Sequence, residues 1–133
     1  MSVMWAATTL ESGRFSAVER CSDIGELADH FSVLRCRGQG YLEVRLPGSA
    51  FPLLTLGFRD GQAVVHRFDE AERLSLLAAD GIAAADAVVD VPVMDDIAVF
   101  SGKFVLAVDR AWALVHDFVQ TRAPGELGEW CEL

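Results

Sequence analysis

No asparagine occurs anywhere in the 133 residues, so an N-glycosylation acceptor is excluded. The longest run without a charged side chain, residues 46–58, has 13 residues and carries two prolines. A membrane span needs about 20 apolar residues, so none is expected. The opening MSVMWAATTLESG has no basic segment and only a short apolar run, and the expectation is that it is not a signal peptide. Cysteine is sparse and odd in number: Cys21, Cys36 and Cys131 lie far apart, with no C-x-x-C spacing. That pattern supports neither a zinc site nor a redox pair. Three reduced thiols, at least two of them in the core of a cytoplasmic protein, are expected.

Basic residues are also few. Eleven stand against 20 acids, for a net charge of −9. Nucleic-acid binders displace counterions with basic footprints, so neither DNA nor RNA is an expected partner. An acidic surface favours solubility and a basic protein partner. Recognisable catalytic motifs are missing too. Ser101-Gly102 lies outside any G-x-S-x-G frame, which excludes a nucleophile elbow. The GQG at 38–40 precedes a strand, whereas a phosphate loop follows one and opens a helix. The histidines at 30, 66 and 116 fall in a helix, a strand and a helix, and each reads as a surface or half-buried residue. The adjacent carboxylates Asp95 and Asp96 read better as a solvated turn than as a cation site. No cofactor, no metal and no catalytic residue is assigned.

What is present is a well-punctuated chain with 52% hydrophobic residues, enough for a core over residues 1–133 as one domain. Glu11-Ser12-Gly13 separates two strand-like runs and predicts a first hairpin. Ser22 reads as an N-cap, with a helix over 23–35 whose buried stripe is Ile24, Leu27, Ala28, Phe31 and Leu34, stopped by Gly38. YLEVRL, 41–46, alternates as a strand. Asp60-Gly61 sits between Leu53–Arg59 and Gln62–Phe68, the strongest short-range hairpin signal, and pairs Phe58 with Ala63, Leu56 with Val65 and Leu54 with Arg67. The other face of this hairpin (Leu53, Thr55, Gly57, Val64, His66, Phe68) is too apolar for open water, and a helix or another chain is expected to cover it.

In residues 69–86, alanine content favours a short helix, while Leu74, Leu76 and the following Asp80-Gly81 favour strand then turn; a strand is the reading adopted. AVVDVPV, 87–93, is a strand, with Pro92 placing it at an edge or near its end. Residues 97–108 fit either a tight hairpin at Ser101-Gly102 or an irregular entry to the next helix. Asp109 is a plausible N-cap for a helix over 110–122, ended by Pro124-Gly125, and EWCEL closes the chain as a strand. The fold class is α+β: a mostly antiparallel sheet of about six to eight strands with two amphipathic helices packed on it. Trp5, Trp112 and Trp130 are expected in the core rather than on an interface.

Charge is unevenly spread. No basic residue lies between Arg73 and Lys103, and Asp80, Asp86, Asp90, Asp95 and Asp96 all fall in that interval. These five are the expected partner-facing residues, because such a field selects and accelerates association with a basic protein.

Two segments carry a family resemblance. AFPLLTLGFRDGQAVVHRF resembles the central hairpin of the Imm1 immunity proteins of bacterial polymorphic toxin systems. FVLAVDRAWALVHDFVQTRAPGELGEWCEL resembles their ending: a short strand, an amphipathic helix and a terminal Trp strand. Phe51, Pro52 and Leu54, with Trp130, Glu132 and Leu133, are most similar to immunity proteins against cytidine deaminase toxins. The resemblance implies a cytoplasmic protein, a monomer or weak homodimer, that blocks a cognate toxin with a basic surface and performs no reaction itself. It supplies fold and role, and no contact residue. The alternatives are a small-molecule sensor with a pocket between the sheet and the second helix near Trp112 and His116, and a small enzyme built on Asp95, Asp96 and a histidine.

Overall fold

The computed structural model describes residues 2–70, 73–77, 86–121 and 130–132. In chain order the elements are β1 (Ser2–Thr8), β2 (Phe15–Asp23), α1 (Ile24–Arg37), β3 (Gln39–Arg45), β4 (Leu53–Arg59), β5 (Gln62–Glu70) and β6 (Arg73–Leu77). There follow β7 (Val88–Val93), β8 (Asp96–Ser101), a 3-10 turn over Gly102–Phe104, β9 (Leu106–Ala107), α2 (Val108–Thr121) and β10 (Trp130–Glu132). Eight strands form one antiparallel sheet in the order β10-β6-β5-β4-β3-β1-β2, with β9 also pairing β5. β7 and β8 form a separate two-stranded ribbon. Two helices on a mostly antiparallel sheet make this the expected α+β arrangement. No helix among the described residues is long and apolar enough to cross a membrane.

The β4–β5 hairpin falls in the register its sequence predicts: Phe58 opposite Ala63, Leu56 opposite Val65, Leu54 opposite Arg67. Asp60 and Gly61 both take positive φ, 52° and 84°, as a two-residue turn of this kind requires. β5 runs two residues past the predicted Phe68 end. A strand does form inside 69–86, as β6; Asp80 and Gly81 lie outside the described residues, as do Pro124 and Gly125.

Period-2 alternation then sorts the sheet. Trp5 and Ala7, Leu42 and Val44, Leu54, Leu56 and Phe58, Ala63 and Val65 point to one side, where α1 and α2 cover them. α1 contributes Leu27, Phe31 and Leu34; α2 contributes Ala111, Leu114, Val115, Phe118 and Val119. Each fully buried Leu, Val or Phe is worth roughly 1.5–3 kcal/mol, so this packing, more than helix propensity, holds the helices. A two-pronged Arg35–Asp109 ion pair ties the end of α1 to the first turn of α2.

Several boundaries differ from expectation. Asp23, not Ser22, caps α1: its Oδ1 accepts the Glu26 N–H at 2.9 Å. Ser22 instead accepts the Trp5 indole N–H at 2.8 Å and donates to the Asp23 carbonyl. α1 runs on to Arg37, where Gly38, at φ 88°, ends it. α2 begins at Val108, so Asp109 lies inside its first turn. All three cysteines are exposed, against the expectation that two are buried. Cys21 and Cys131 sit on the two terminal strands of the sheet, Cys21 within the run 17–21 that is exposed throughout, and Cys36 lies on the solvent side of α1.

Candidate partner-binding surface

The second face of the β4–β5 hairpin, expected to lie under a helix or another chain, is covered by the β7–β8 ribbon of the same chain. Val91, with Val89, Phe100, Phe104 and Val105, packs on Val64 and Leu76. Phe100 meets the His66 ring edge-on at 5.3 Å. The contact is close enough to involve backbone: a Cβ added at Gly57 would sit 2.2 Å from the Pro92 carbonyl oxygen. Residues 97–101 are therefore taken up by β8, and the chain enters α2 irregularly, through the 3-10 turn and β9. The ribbon folds back at Met94-Asp95, with Met94 at φ 57°. Pro92 sits in this ribbon opposite Ile97, where each strand has a free edge that tolerates the missing N–H.

A ribbon with one face inward presents the other outward. Val88 opposes Ser101, Asp90 opposes Val99 and Pro92 opposes Ile97. Val88, Ile97 and Val99 are 51–70% exposed, and Met94 at the tip is 52% exposed. Four of the six large hydrophobic side chains exposed among the described residues thus lie on this one ribbon. Around them Asp86, Asp90, Asp95 and Asp96 are also exposed. Apolar side chains ringed by carboxylates match a docking patch better than a solvated face, because exposed apolar clusters with polar rims mark interaction sites.

Of the five carboxylates expected to face a partner, four come together here and Asp80 lies outside the described residues. They are not equivalent. Asp95 Oδ1 accepts the Phe15 backbone N–H at 2.7 Å, so it pins the ribbon tip to the start of β2. No ion pair engages Asp86, Asp90 or Asp96 among the described residues. The apolar half of the patch escapes sequence reading, since Val88, Ile97 and Val99 look like buried strand positions. The nearest signal is Asp90 between Val89 and Val91, and it takes the packing of Val91 on Val64 to decide which side faces water.

Beside the ribbon tip is a cleft of about 470 Å³ between the Met94–Ile97 turn, the end of α1 and the Asp60 turn. Three arginines, Arg14, Arg37 and Arg59, share its wall with Asp60, Asp95 and Asp96. Arg37 donates to the Leu10 carbonyl, and Arg59 lies 3.9 Å from Asp60. Near Trp112 and His116, where the sensor alternative puts its pocket, Trp112 stacks on Phe31 at 4.5 Å and its ring meets His116.

His30, His66 and the Tyr41–Glu43 pair belong to the fold itself. His30 is buried, with Nε2 2.8 Å from the Thr8 carbonyl and its ring against Trp5. Burial pushes the His66 imidazole down to about 4. The Tyr41 hydroxyl donates to Glu43 at 2.8 Å, and burial pushes both groups up from their usual ranges. Among the described residues no three His, Cys, Asp or Glu side chains are placed to hold a metal ion. Trp5 is fully buried, while Trp112 and Trp130 are half-buried against the same core.

No known family model matches this chain, and no curated protein does. Its function is therefore argued from the surface it presents.

Proposed function

We propose that this protein is a cytoplasmic immunity-type inhibitor, which binds a cognate toxin with a basic surface and blocks it. The carrying observation is the β7–β8 ribbon, where exposed Val88, Met94, Ile97 and Val99 stand among Asp86, Asp90 and Asp96. Inhibition by occlusion needs a stiff platform and a few anchors that fill pockets on the partner. The ribbon is fixed at its base by Val91 and Phe100 and at its tip by Asp95. A toxin that modifies nucleic acid, such as a deaminase, needs a basic groove for its substrate, and carboxylates here stand where phosphates would lie. The resemblance of the β4–β5 hairpin and of the chain's ending to Imm1 immunity proteins supports the same role.

The test is reconstitution with the protein encoded beside it. Stoichiometric complex formation and loss of the neighbour's toxicity are expected. A harmless neighbour, or one unaffected by excess inhibitor, overturns the proposal.

A second reading has one specific observation in its favour: the 470 Å³ cleft, with three arginines and three carboxylates on its wall. A sensor domain would take a small zwitterionic molecule there. A thermal-shift screen separates the two readings, since a ligand that binds only the folded state raises the midpoint.

A further inference from the structure

β2 ends the eight-stranded sheet, and it is long for an edge strand: nine residues, against three in β10 at the other end. Edge strands are usually guarded by charged side chains, Lys above all, by Pro, by a bulge or by a covering helix. FSAVERCSD contains neither Lys nor Pro, and its central charges are turned to their own chain, Glu19 to Arg45 and Arg20 to the Trp5 ring. α1 leaves β2 uncovered as well: residues 17–21 are all exposed, and Val18, at 75%, is the most exposed large hydrophobic among the described residues. The pairing with β1 is irregular at this point, and the Val18 N–H turns to the Ser16 hydroxyl.

Between β2 and α1 runs a groove in two adjoining parts of about 290 and 230 Å³. Trp5, Arg20 and His30 lie in both parts, with the Arg20 guanidinium 5.1 Å above the Trp5 ring; Leu10 and Val33 line the second, with Glu26 and Asp29 beside them. A strand laid on β2 sends every second side chain toward this groove, where the carboxylates of Glu26 and Asp29 outnumber the one guanidinium, Arg20.

We infer that β2 is a strand-addition edge, on which an extended basic segment of the partner protein pairs. The identity of that partner rests on the inhibitor reading above. Continuity and charge select this occupant. Asp95 binds the Phe15 N–H, so the tip of the candidate surface sits at the start of β2 and one partner reaches both. A second copy fits poorly. It brings another −9, and a two-fold pairing centred on Glu19 sets two Glu19 carboxylates, each already held by Arg45 of its own chain, opposite one another. Main-chain hydrogen bonds would supply affinity, and the groove would select the side chains.

The experiment uses the full chain and the protein encoded beside it, with hydrogen exchange and binding kinetics as readouts. Val18→Pro blocks the outer edge at a position where the N–H makes no bond to β1, and Val18→Asp keeps the backbone donor while placing charge against the partner. Expected are slowed exchange over 15–23 in the complex and an affinity loss of about tenfold or more for both variants. Ile97→Asp, on the ribbon, is the control for the inhibitor reading. If Ile97→Asp weakens binding while both Val18 variants bind within about twofold of the parent and 15–23 stays unprotected, the edge proposal falls and the inhibitor reading stands. If the neighbour's product does not bind at all, both fall. A dimer of the isolated chain that Val18→Pro dissociates also overturns the proposal, because the edge then belongs to a second copy.

Discussion

At Gly57 the chain has no room for a side chain, since the Pro92 carbonyl would lie 2.2 Å from an added Cβ. Gly57→Ala is expected to lift the ribbon from the sheet and to destabilise the protein by about 1–3 kcal/mol, the usual range for forced overpacking. Urea unfolding measures the loss, and faster hydrogen exchange over 88–101 locates it. His66, on the same face, makes a second prediction. Burial lowers its pKa to about 4, so the fold accepts the neutral ring and resists the charged one. The unfolded chain binds that proton at a pKa near 6.5, so the contribution is fully present above about pH 6.5 and is lost as pH falls toward 4. Between pH 7 and 4.5 the loss is about 2 kcal/mol. His66→Phe keeps the ring and removes the proton, so its stability should fall by that much less over the same interval. Equal slopes for the two proteins would show that protonation of His66 is not coupled to unfolding.

At the level of elements, legibility follows turn chemistry. Asp60-Gly61 supplies two residues at ease with positive φ, so β4, β5 and their register are legible in the amino-acid sequence alone. Met94-Asp95 supplies no such signal, because a methionine at φ 57° is not a residue that announces a turn. Ser101-Gly102 does look like a turn, yet it ends β8 and opens the 3-10 segment. Half of the candidate surface is legible for the same kind of reason. Its carboxylates show as a local charge excess, whereas Val88, Ile97 and Val99 are indistinguishable in sequence from the inward Val89 and Val91. Only the packing of Val91 on Val64 decides which side faces water. The consequence is a prediction about the ribbon as a unit. Ile97→Ser and Val99→Ser should leave the unfolding free energy within about 0.5 kcal/mol, as exposed positions do. Both should speed dissociation from the partner, each by about tenfold or more if it fills a pocket there. Destabilisation well beyond that figure would mean that these side chains serve the fold.

For the molecule as a whole, the inhibitor reading has the net charge of −9 act at long range and the ribbon act at contact. Among the described residues, the ion pairs Arg35–Asp109, Arg45–Glu19, Arg59–Asp60 and Arg67–Asp69 engage four arginines, while Asp86, Asp90 and Asp96 stand without such partners. On the inhibitor reading, a basic partner would be drawn toward the ribbon before any side chain touches. Screening lengths shrink from roughly 30 Å at 0.01 M salt to about 8 Å at 0.15 M, so this attraction is tunable. The association rate should fall by about tenfold or more as salt rises across that range, while the dissociation rate changes little. Asp90→Lys combined with Asp96→Lys should slow association at low salt and flatten its salt dependence. Asp95 is left intact in that variant, because removing it would also unpin the tip from Phe15. Stopped-flow mixing at several ionic strengths makes the measurement. If the double variant keeps the parental slope, the steering field arises elsewhere on the molecule and the ribbon's carboxylates are only a solvated rim.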